Sequence, residues 1–73
     1  MSNFWDSQEI IGSIEKNKNE NIVVSICQRK ENKYLDVRIH TKSKDNNNYI
    51  PTSKGFNVKI EKIKDFLELL ETI

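Results

Sequence analysis

Residues 34–42, near the middle of the chain, alternate between apolar and polar side chains with a period of two. Leu35, Val37 and Ile39 occupy alternate positions, and the side chains at positions 34, 36, 38, 40 and 42 are polar and largely basic. A β-strand places successive side chains on opposite faces of a sheet, so this segment predicts a strand with one apolar and one polar face. The apolar face of such a strand needs a covering layer. The alternation therefore favours a fold built on an antiparallel sheet whose two faces differ.

Three further segments have the composition of strands, and turn-forming residues separate them. Residues 8–16 predict the first strand, residues 22–29 the second, and a fourth lies within residues 49–59. Short polar segments rich in asparagine and lysine connect them, as expected for hairpins.

Glycine and proline mark irregular points in these strands. In the first strand the alternation places Ile10, Gly12 and Ile14 on one face, and Gly12 indicates a bulge or a bend. Pro51 lacks an N–H, so the fourth strand is expected to start at an edge. Gly55 indicates either a conformation closed to other residues or a close approach to the backbone.

The end of the chain has the periodicity of a helix, predicted over residues 60–73. Its apolar side chains recur at intervals of three and four and form a stripe of Ile63, Phe66, Leu67, Leu70 and Ile73. This apolar stripe packs on the chain's own sheet, forms the seam of a dimer, or is wide enough to do both.

The predicted fold is α+β: a four-stranded curved antiparallel sheet followed by one C-terminal helix, in the order β-β-β-β-α. Residues 8–73 form this domain, and residues 1–7 form an N-terminal tail. One helix covers only part of the sheet, and the polar face is expected to stay in water. Phe4 and Trp5 have two interpretations: they belong to a tail that folds back onto the core or frays, or the pair stacks on an unpaired base or binds a partner.

The chain is short for an independent core. It has 73 residues, of which 36% are hydrophobic, with one cysteine and one histidine. It therefore forms no internal disulfide, and no Cys/His metal site or cofactor is expected. Below about 70–80 residues, a single core rarely contributes more than a few kcal/mol without help from disulfides, metal or oligomerisation. A homodimer is the remaining expectation.

Several classes of protein do not fit the sequence. No apolar run approaches the roughly 20 residues of a membrane span, and the N-terminus does not have the pattern of a secretory signal. A lone thiol suits an intracellular location. Because His40 has no evident catalytic partner and the carboxylates are scattered, we expect the protein not to be an enzyme.

Charge is distributed unevenly, although the net charge is only +1. Residues 28–44 hold six basic and two acidic side chains, a net +4, and residues 61–73 hold two basic and four acidic ones, a net −2. A basic sheet face could neutralise phosphates while aromatic side chains stack on unpaired bases. A solvated charged surface explains the pattern equally well. Asp36 could orient Arg38 towards a ligand or form a surface ion pair with it.

The candidate residues for contact with nucleic acid lie mainly in the last three predicted strands and the segments that connect them. The basic candidates are Arg29, Lys30, Lys33, Arg38, Lys42, Lys44 and Lys54, and the candidates for stacking are Trp5, Tyr34, His40 and Tyr49.

The order of elements and several motifs resemble the positive cofactor 4 family of transcriptional coactivators. Residues 33–38, Lys-Tyr-Leu-Asp-Val-Arg, resemble the family's apolar–Asp–apolar–Arg strand core. Residues 51–58, Pro-Thr-Ser-Lys-Gly-Phe-Asn-Val, resemble its Pro-Gly-Arg-Lys-Gly-Ile-Ser-Leu segment. Residues 8–12 resemble the opening of its first strand, and the helix positions that it fills with Trp, Leu and Ile match Ile63, Phe66 and Leu70. The resemblance covers residues 8–73.

The resemblance implies a homodimer that binds single-stranded DNA with little sequence preference and acts in transcription and genome maintenance, with RNA left open as a ligand. Helices would form the dimer interface through the apolar stripe, and the transcription machinery would be a further partner. Arg38 and Lys54 match basic DNA contacts of the family, and Arg29, Lys30 and Lys16 match them more loosely. The location implied is the bacterial cytoplasm and nucleoid or the eukaryotic nucleus.

The chain also departs from the family. Thr52 and Ser53 replace a Gly-Arg pair, and Thr41 stands where eukaryotic members carry a stacking aromatic residue. The alternative function is a protein-interaction module that uses the same sheet without binding nucleic acid.

Overall fold

The computed structural model of the protein describes residues 5–73 and confirms the predicted fold class. Four strands form one antiparallel sheet in the order β1-β2-β3-β4, and one C-terminal helix follows. The strands are β1 (Ser7–Asn17), β2 (Glu20–Arg29), β3 (Asn32–Lys42) and β4 (Tyr49–Lys59). The predicted helix begins as a 3-10 turn (Ile60–Lys62) and continues as α1 (Ile63–Leu70).

The register of β2 and β3 defines two faces of the sheet. Ile22 lies opposite Ile39, and Val24 lies opposite Val37. Directly paired side chains project on the same side of a sheet. The apolar face includes Ile14, Ile22, Val24, Ile26, Leu35, Val37, Ile39, Phe56 and Val58. The polar face includes Gln8, Ile10, Val23, Ser25, Cys27, Arg29, Tyr34, Asp36, Arg38, His40, Lys42, Asn57 and Lys59.

A bulge in β1 corrects one sequence prediction. Ile10 lies opposite Ser25 while Gly12 lies opposite Val24, so Ile11 is an extra residue between them. One extra residue shifts the alternation of a strand, so that the side chains beyond it project from the opposite face of the sheet. Ile10 therefore lies on the polar face and Ile14 on the apolar face, although simple alternation placed them together. The bulge indicated by Gly12 is confirmed.

β4 contains a second irregularity, opposite Ile39. Arg38 lies opposite Gly55 and His40 lies opposite Pro51, so three residues of β4, 52–54, span the single residue between them. Gly55 has φ +155°, and a Cβ atom there would collide with the carbonyl oxygen of Val37. Both interpretations of Gly55 are thus confirmed, and Pro51 lies in an edge strand as predicted.

The most buried side chains lie at the centre of the polar face. Cys27 is 0% exposed, Ser25 1% and Asp36 2%. The expectation that this face stays wet is therefore wrong at its centre. Long side chains such as Arg38 and Trp5, which line the polar face, lie around these short ones.

The apolar face is only partly covered, and seven of its nine side chains are half-buried. Helix α1 holds no buried residue, and its Phe66 ring contacts Phe56 edge-on, with ring centroids 6.0 Å apart. Ile14 and Phe56 on this face are 63% and 47% exposed. The molecule is only 17 Å thick along its shortest axis, so α1 borders the sheet and does not form a second full layer over it. No helix in residues 5–73 is long and apolar enough to cross a membrane.

Candidate nucleic-acid interface

The centre of the polar face is a two-point ion pair between Arg38 and Asp36. Arg38 Nη2 lies 2.9 Å from Asp36 Oδ1, and Nε donates to Oδ2 at 3.4 Å. Nη1 donates to the carbonyl oxygen of Ser53 at 3.1 Å. The hydrogen bond with Asp36 raises the pKa of Arg38. The guanidinium is therefore fixed in orientation by β3 and by the irregular part of β4.

A small polar network continues from this pair into β2 and β1. Ser25 lies opposite Asp36, and its Oγ accepts a hydrogen bond from Gln8 Nε2 at 3.1 Å. Ser25 Oγ also lies 3.5 Å from Cys27 Sγ. Burial raises the pKa of the Cys27 thiol. Every buried side-chain nitrogen and oxygen within residues 5–73 has a hydrogen-bond partner.

The N-terminal segment folds back over one end of the polar face. The Asp6 N–H donates to the carbonyl oxygen of Gln28 at 2.7 Å, and the Lys30 N–H donates to Asp6 Oδ2 at 2.5 Å. The Trp5 ring then lies against Tyr34, with ring centroids 5.3 Å apart and a 47° tilt. The fold-back interpretation is confirmed for Trp5, while Phe4 lies outside the described residues.

A groove of about 600 Å³ runs across the polar face beside the ion pair. Burial lowers the pKa of His40, which lies in the groove wall. The lowered pKa favours the neutral imidazole, and Arg38 is the basic side chain in the lining. The groove is lined by Trp5, Gln8, Ile10, Asp36, Arg38, His40, Pro51, Thr52 and Asn57.

Four of the candidate contact residues share the polar face of β3, namely Tyr34, Arg38, His40 and Lys42. Arg29 ends β2 on this same face, opposite Asn32. Tyr49 lies opposite Lys42, and its hydroxyl donates to the carbonyl oxygen of Lys18 at 3.5 Å.

The remaining candidates do not join this group. Lys33 lies opposite Gln28 and shares the apolar side of β3 with Leu35. Lys30 occupies the β2–β3 turn with φ 56°, and Lys44 lies in the loop between β3 and β4.

Lys16 and Lys54 have a different acidic neighbour from Arg38. The Asn17 amide lowers the pKa of the Glu20 carboxyl, and the charges of Lys16 and Lys54 lower it further. Lys16 Nζ lies 3.6 Å from Glu20 Oε1. The sequence grouped Lys54 with Arg38, whereas the structure places it in the irregular segment of β4.

Sequence reasoning missed several residues of the polar face. Lys59 lies opposite Tyr34, and Asn57 lies opposite Asp36. Gln8 and Thr52 also line the groove. Only the cross-strand register, which depends on both bulges, brings these residues to the site.

The apolar stripe remains accessible. Ile63 and Phe66 are half-buried, whereas Leu67, Leu70 and Ile73 are 53%, 46% and 99% exposed. Contact between Phe66 and Phe56 makes the stripe continuous with the apolar face of the sheet.

Comparisons of the chain with protein-family models, curated proteins and solved structures give no match. Within residues 5–73, no three histidine, cysteine, aspartate or glutamate side chains are grouped so that they could hold a metal ion.

Proposed function

We propose that the protein is a dimeric single-stranded DNA-binding protein of the type that the positive cofactor 4 family represents, acting with little sequence preference in transcription. One observation carries the proposal: the two faces of the sheet differ in chemistry. The polar face presents a fixed Arg38 beside an open groove, and residues 5–73 form no second full layer over the apolar face. The polar face would bind nucleic acid, and the apolar face would bind a second copy.

The polar face has the components that unpaired strands need. Lys42 is exposed at one end, Arg38 lies at the centre, and Lys59 lies opposite Tyr34 towards the other end. Cations neutralise phosphates, and aromatic rings near them stack on bases whatever their identity. A sheet face suits a splayed single strand better than the major groove of a duplex, which admits a helix or a two-stranded ribbon.

Surface area supports the second copy. The chain exposes 6050 Å², whereas a compact monomer of its 8.6 kDa mass exposes about 4,700 Å². Even when the first four residues are assigned the full surface of an extended chain, an excess of roughly 800 Å² remains. One partner contributes about 800 Å² to an interface of standard size. The excess is thus what one subunit would bury in a dimer.

The alternative function, a protein-interaction module, is favoured by a different feature. β1 is an edge strand that is exposed along its whole length, and it carries Ile10 and Ile11, each 61% exposed. Such an edge can pair with a strand of another protein. This module would associate through β1 and would not retain single-stranded DNA.

Fluorescence anisotropy with a labelled oligothymidine and a matched duplex, at two salt concentrations, tests the DNA-binding proposal. We expect the single strand to bind more tightly, with a logarithmic salt slope of about −0.7 per neutralised phosphate. Lys42→Ala should weaken binding and reduce this slope by about one such unit. Lys64→Ala, which removes a cation from α1, is the matched control and should leave both unchanged.

The result that would overturn the proposal is equally concrete. Single-strand affinity that is independent of salt, or equal losses for Lys42→Ala and Lys64→Ala, would rule out the polar face as the binding surface. Light scattering on the same samples measures the mass of the species in solution. A monomeric mass at micromolar concentration would rule out the dimer.

A further inference from the structure

We propose that the groove on the polar face is a subsite for one unpaired base, with the Trp5 ring as its aromatic wall. This inference rests on the proposed function, because it assigns a base-binding residue within a single-strand interface. Trp5 lies before β1, outside the strands that form the sheet. Hydrogen bonds of the neighbouring Asp6 and the contact with Tyr34 hold the Trp5 ring in the wall of the groove.

The position of Trp5 is fixed by the backbone at the end of β2 and at the start of the β2–β3 turn. Asp6 is bonded to Gln28 through its N–H and to Lys30 through its carboxylate. These two bonds anchor the residue next to Trp5, and Tyr34 supports the indole ring at 5.3 Å. A stacking ring held in advance loses little conformational freedom when a ligand binds.

The lining of the groove suits a flat aromatic ligand with polar edges. Trp5, Ile10 and Pro51 provide apolar surface, while Gln8 and Asn57 provide amides. Its volume of about 600 Å³ falls within the range of about 300–1,000 Å³ that small organic ligands occupy. The site therefore offers both a stacking surface and hydrogen-bonding groups.

Arg38 has the capacity to recognise the edge of a base. A guanidinium carries five N–H donors, and the bonds with Asp36 and Ser53 use three of them. Two donors are thus left for a base acceptor or a phosphate at the groove.

The chain contains a single tryptophan, so its tryptophan emission, excited at wavelengths that tyrosine does not absorb, reports on Trp5 alone. The experiment titrates the unmodified protein with oligothymidine, following tryptophan emission and anisotropy of the labelled strand together. An oligonucleotide with abasic positions has the same phosphates without bases and serves as the matched ligand. We expect oligothymidine to quench the emission and protect it from acrylamide, and the abasic strand to bind without doing either.

Variants give a second measurement that does not depend on the fluorophore. Trp5→Ala should weaken binding of oligothymidine about five- to a hundredfold, the range for loss of one base–aromatic stack. Trp5→Phe keeps a ring and should retain most of the affinity. Urea unfolding of both variants shows whether they are folded, and the titration of the unmodified protein needs neither of them.

The outcomes separate this inference from the function on which it rests. Binding by anisotropy without any change in tryptophan emission, or equal quenching by the abasic strand, would overturn the subsite and leave single-strand binding intact. Absence of binding by anisotropy would overturn both. An equal affinity of Trp5→Ala and the unmodified protein for oligothymidine would likewise exclude Trp5 as the stacking residue.

Discussion

The guanidinium of Arg38 contacts the carboxylate of Asp36 at two points, with Nη2–Oδ1 at 2.9 Å and Nε–Oδ2 at 3.4 Å. The Asp36 side chain is 3% exposed, whereas the Arg38 side chain is 23% exposed. The acidic member of the pair is thus enclosed, and the basic member reaches the groove. The pair both compensates a buried charge and orients an accessible cation.

Arg38→Met should destabilise the protein strongly. Methionine keeps much of the apolar stem but leaves the Asp36 carboxylate buried without its counter-charge, so we expect the free energy of unfolding to fall by about 2–4 kcal/mol. Asp36→Asn combined with Arg38→Met should lower the free energy of unfolding by less, because no buried charge is then left without a counter-charge. Urea unfolding at equal protein concentration measures both, and additive losses would contradict this account.

The two glycines should respond differently to substitution by alanine. At Gly55, with φ +155°, a Cβ atom would collide with the Val37 carbonyl oxygen and lie 2.9 Å from the Arg38 Cα. The strained backbone alone costs about 1–3 kcal/mol, so Gly55→Ala should lower the melting temperature markedly. Gly12 has no atom within 4 Å of the corresponding position. Gly12→Ala is the matched control, and a similar loss there would show that steric exclusion is not the cause.

Cys27 should be protected from thiol reagents in the folded protein. It is 0% exposed, and burial raises the pKa of its thiol, so both access and the thiolate fraction are low. We expect labelling at pH 8 to be slower than in urea by about a hundredfold or more, because it requires local opening. Equal rates in buffer and in urea would show that this part of β2 is open in solution.

Strand pairing separates the features that the sequence could predict from those it could not. The alternation in residues 34–42 is a local signal, and the whole of β3 follows it. The position of Ile10 depends on the bulge at Ile11, and the alternation of side chains alone does not show where an extra residue falls.

The candidate site shows the same division. The sequence predicts one group of site residues, because they occupy alternate positions of β3 and therefore share a face: Tyr34, Arg38, His40 and Lys42. Asn57 and Lys59 reach the site through pairing with β3, and Trp5 reaches it through the contacts of Asp6. Contacts between segments distant in sequence have no periodic signature, so the composition of the groove could not be read from the chain.

Acidification should destabilise the protein through His40. Burial lowers its pKa below the ordinary value of 6.5; the Asp36 charge opposes this shift and the Arg38 charge adds to it. The unfolded chain therefore takes up a proton on His40 at a higher pH than the folded chain does. The stability that depends on a neutral His40 is therefore fully present above pH 6.5 and is lost as the pH falls below it.

Urea unfolding at pH 7.5, 6.5 and 5.5 measures this effect, with His40→Gln as the variant that cannot titrate. We expect the difference between pH 7.5 and 5.5 to be smaller in His40→Gln than in the unmodified protein. The same pH dependence in both would assign it to other groups.

Disruption of the apolar stripe should dissociate the proposed dimer without unfolding the subunit. Leu70 is 46% exposed in the single chain, so a lysine there keeps its charge in water in the monomer but would place it in the interface of the dimer. At about 100° per residue, position 68 lies on the opposite side of α1 from Leu70 and Ile63, which makes Glu68→Lys the matched control.

Light scattering across a concentration series measures the dissociation constant of the dimer. We expect Leu70→Lys to raise this constant by about a hundredfold or more, as for a residue at the centre of an interface. Glu68→Lys should leave it nearly unchanged. Circular dichroism should show the same strand content in both variants. Equal dissociation of the two would place the interface elsewhere, on the sheet or at the β1 edge.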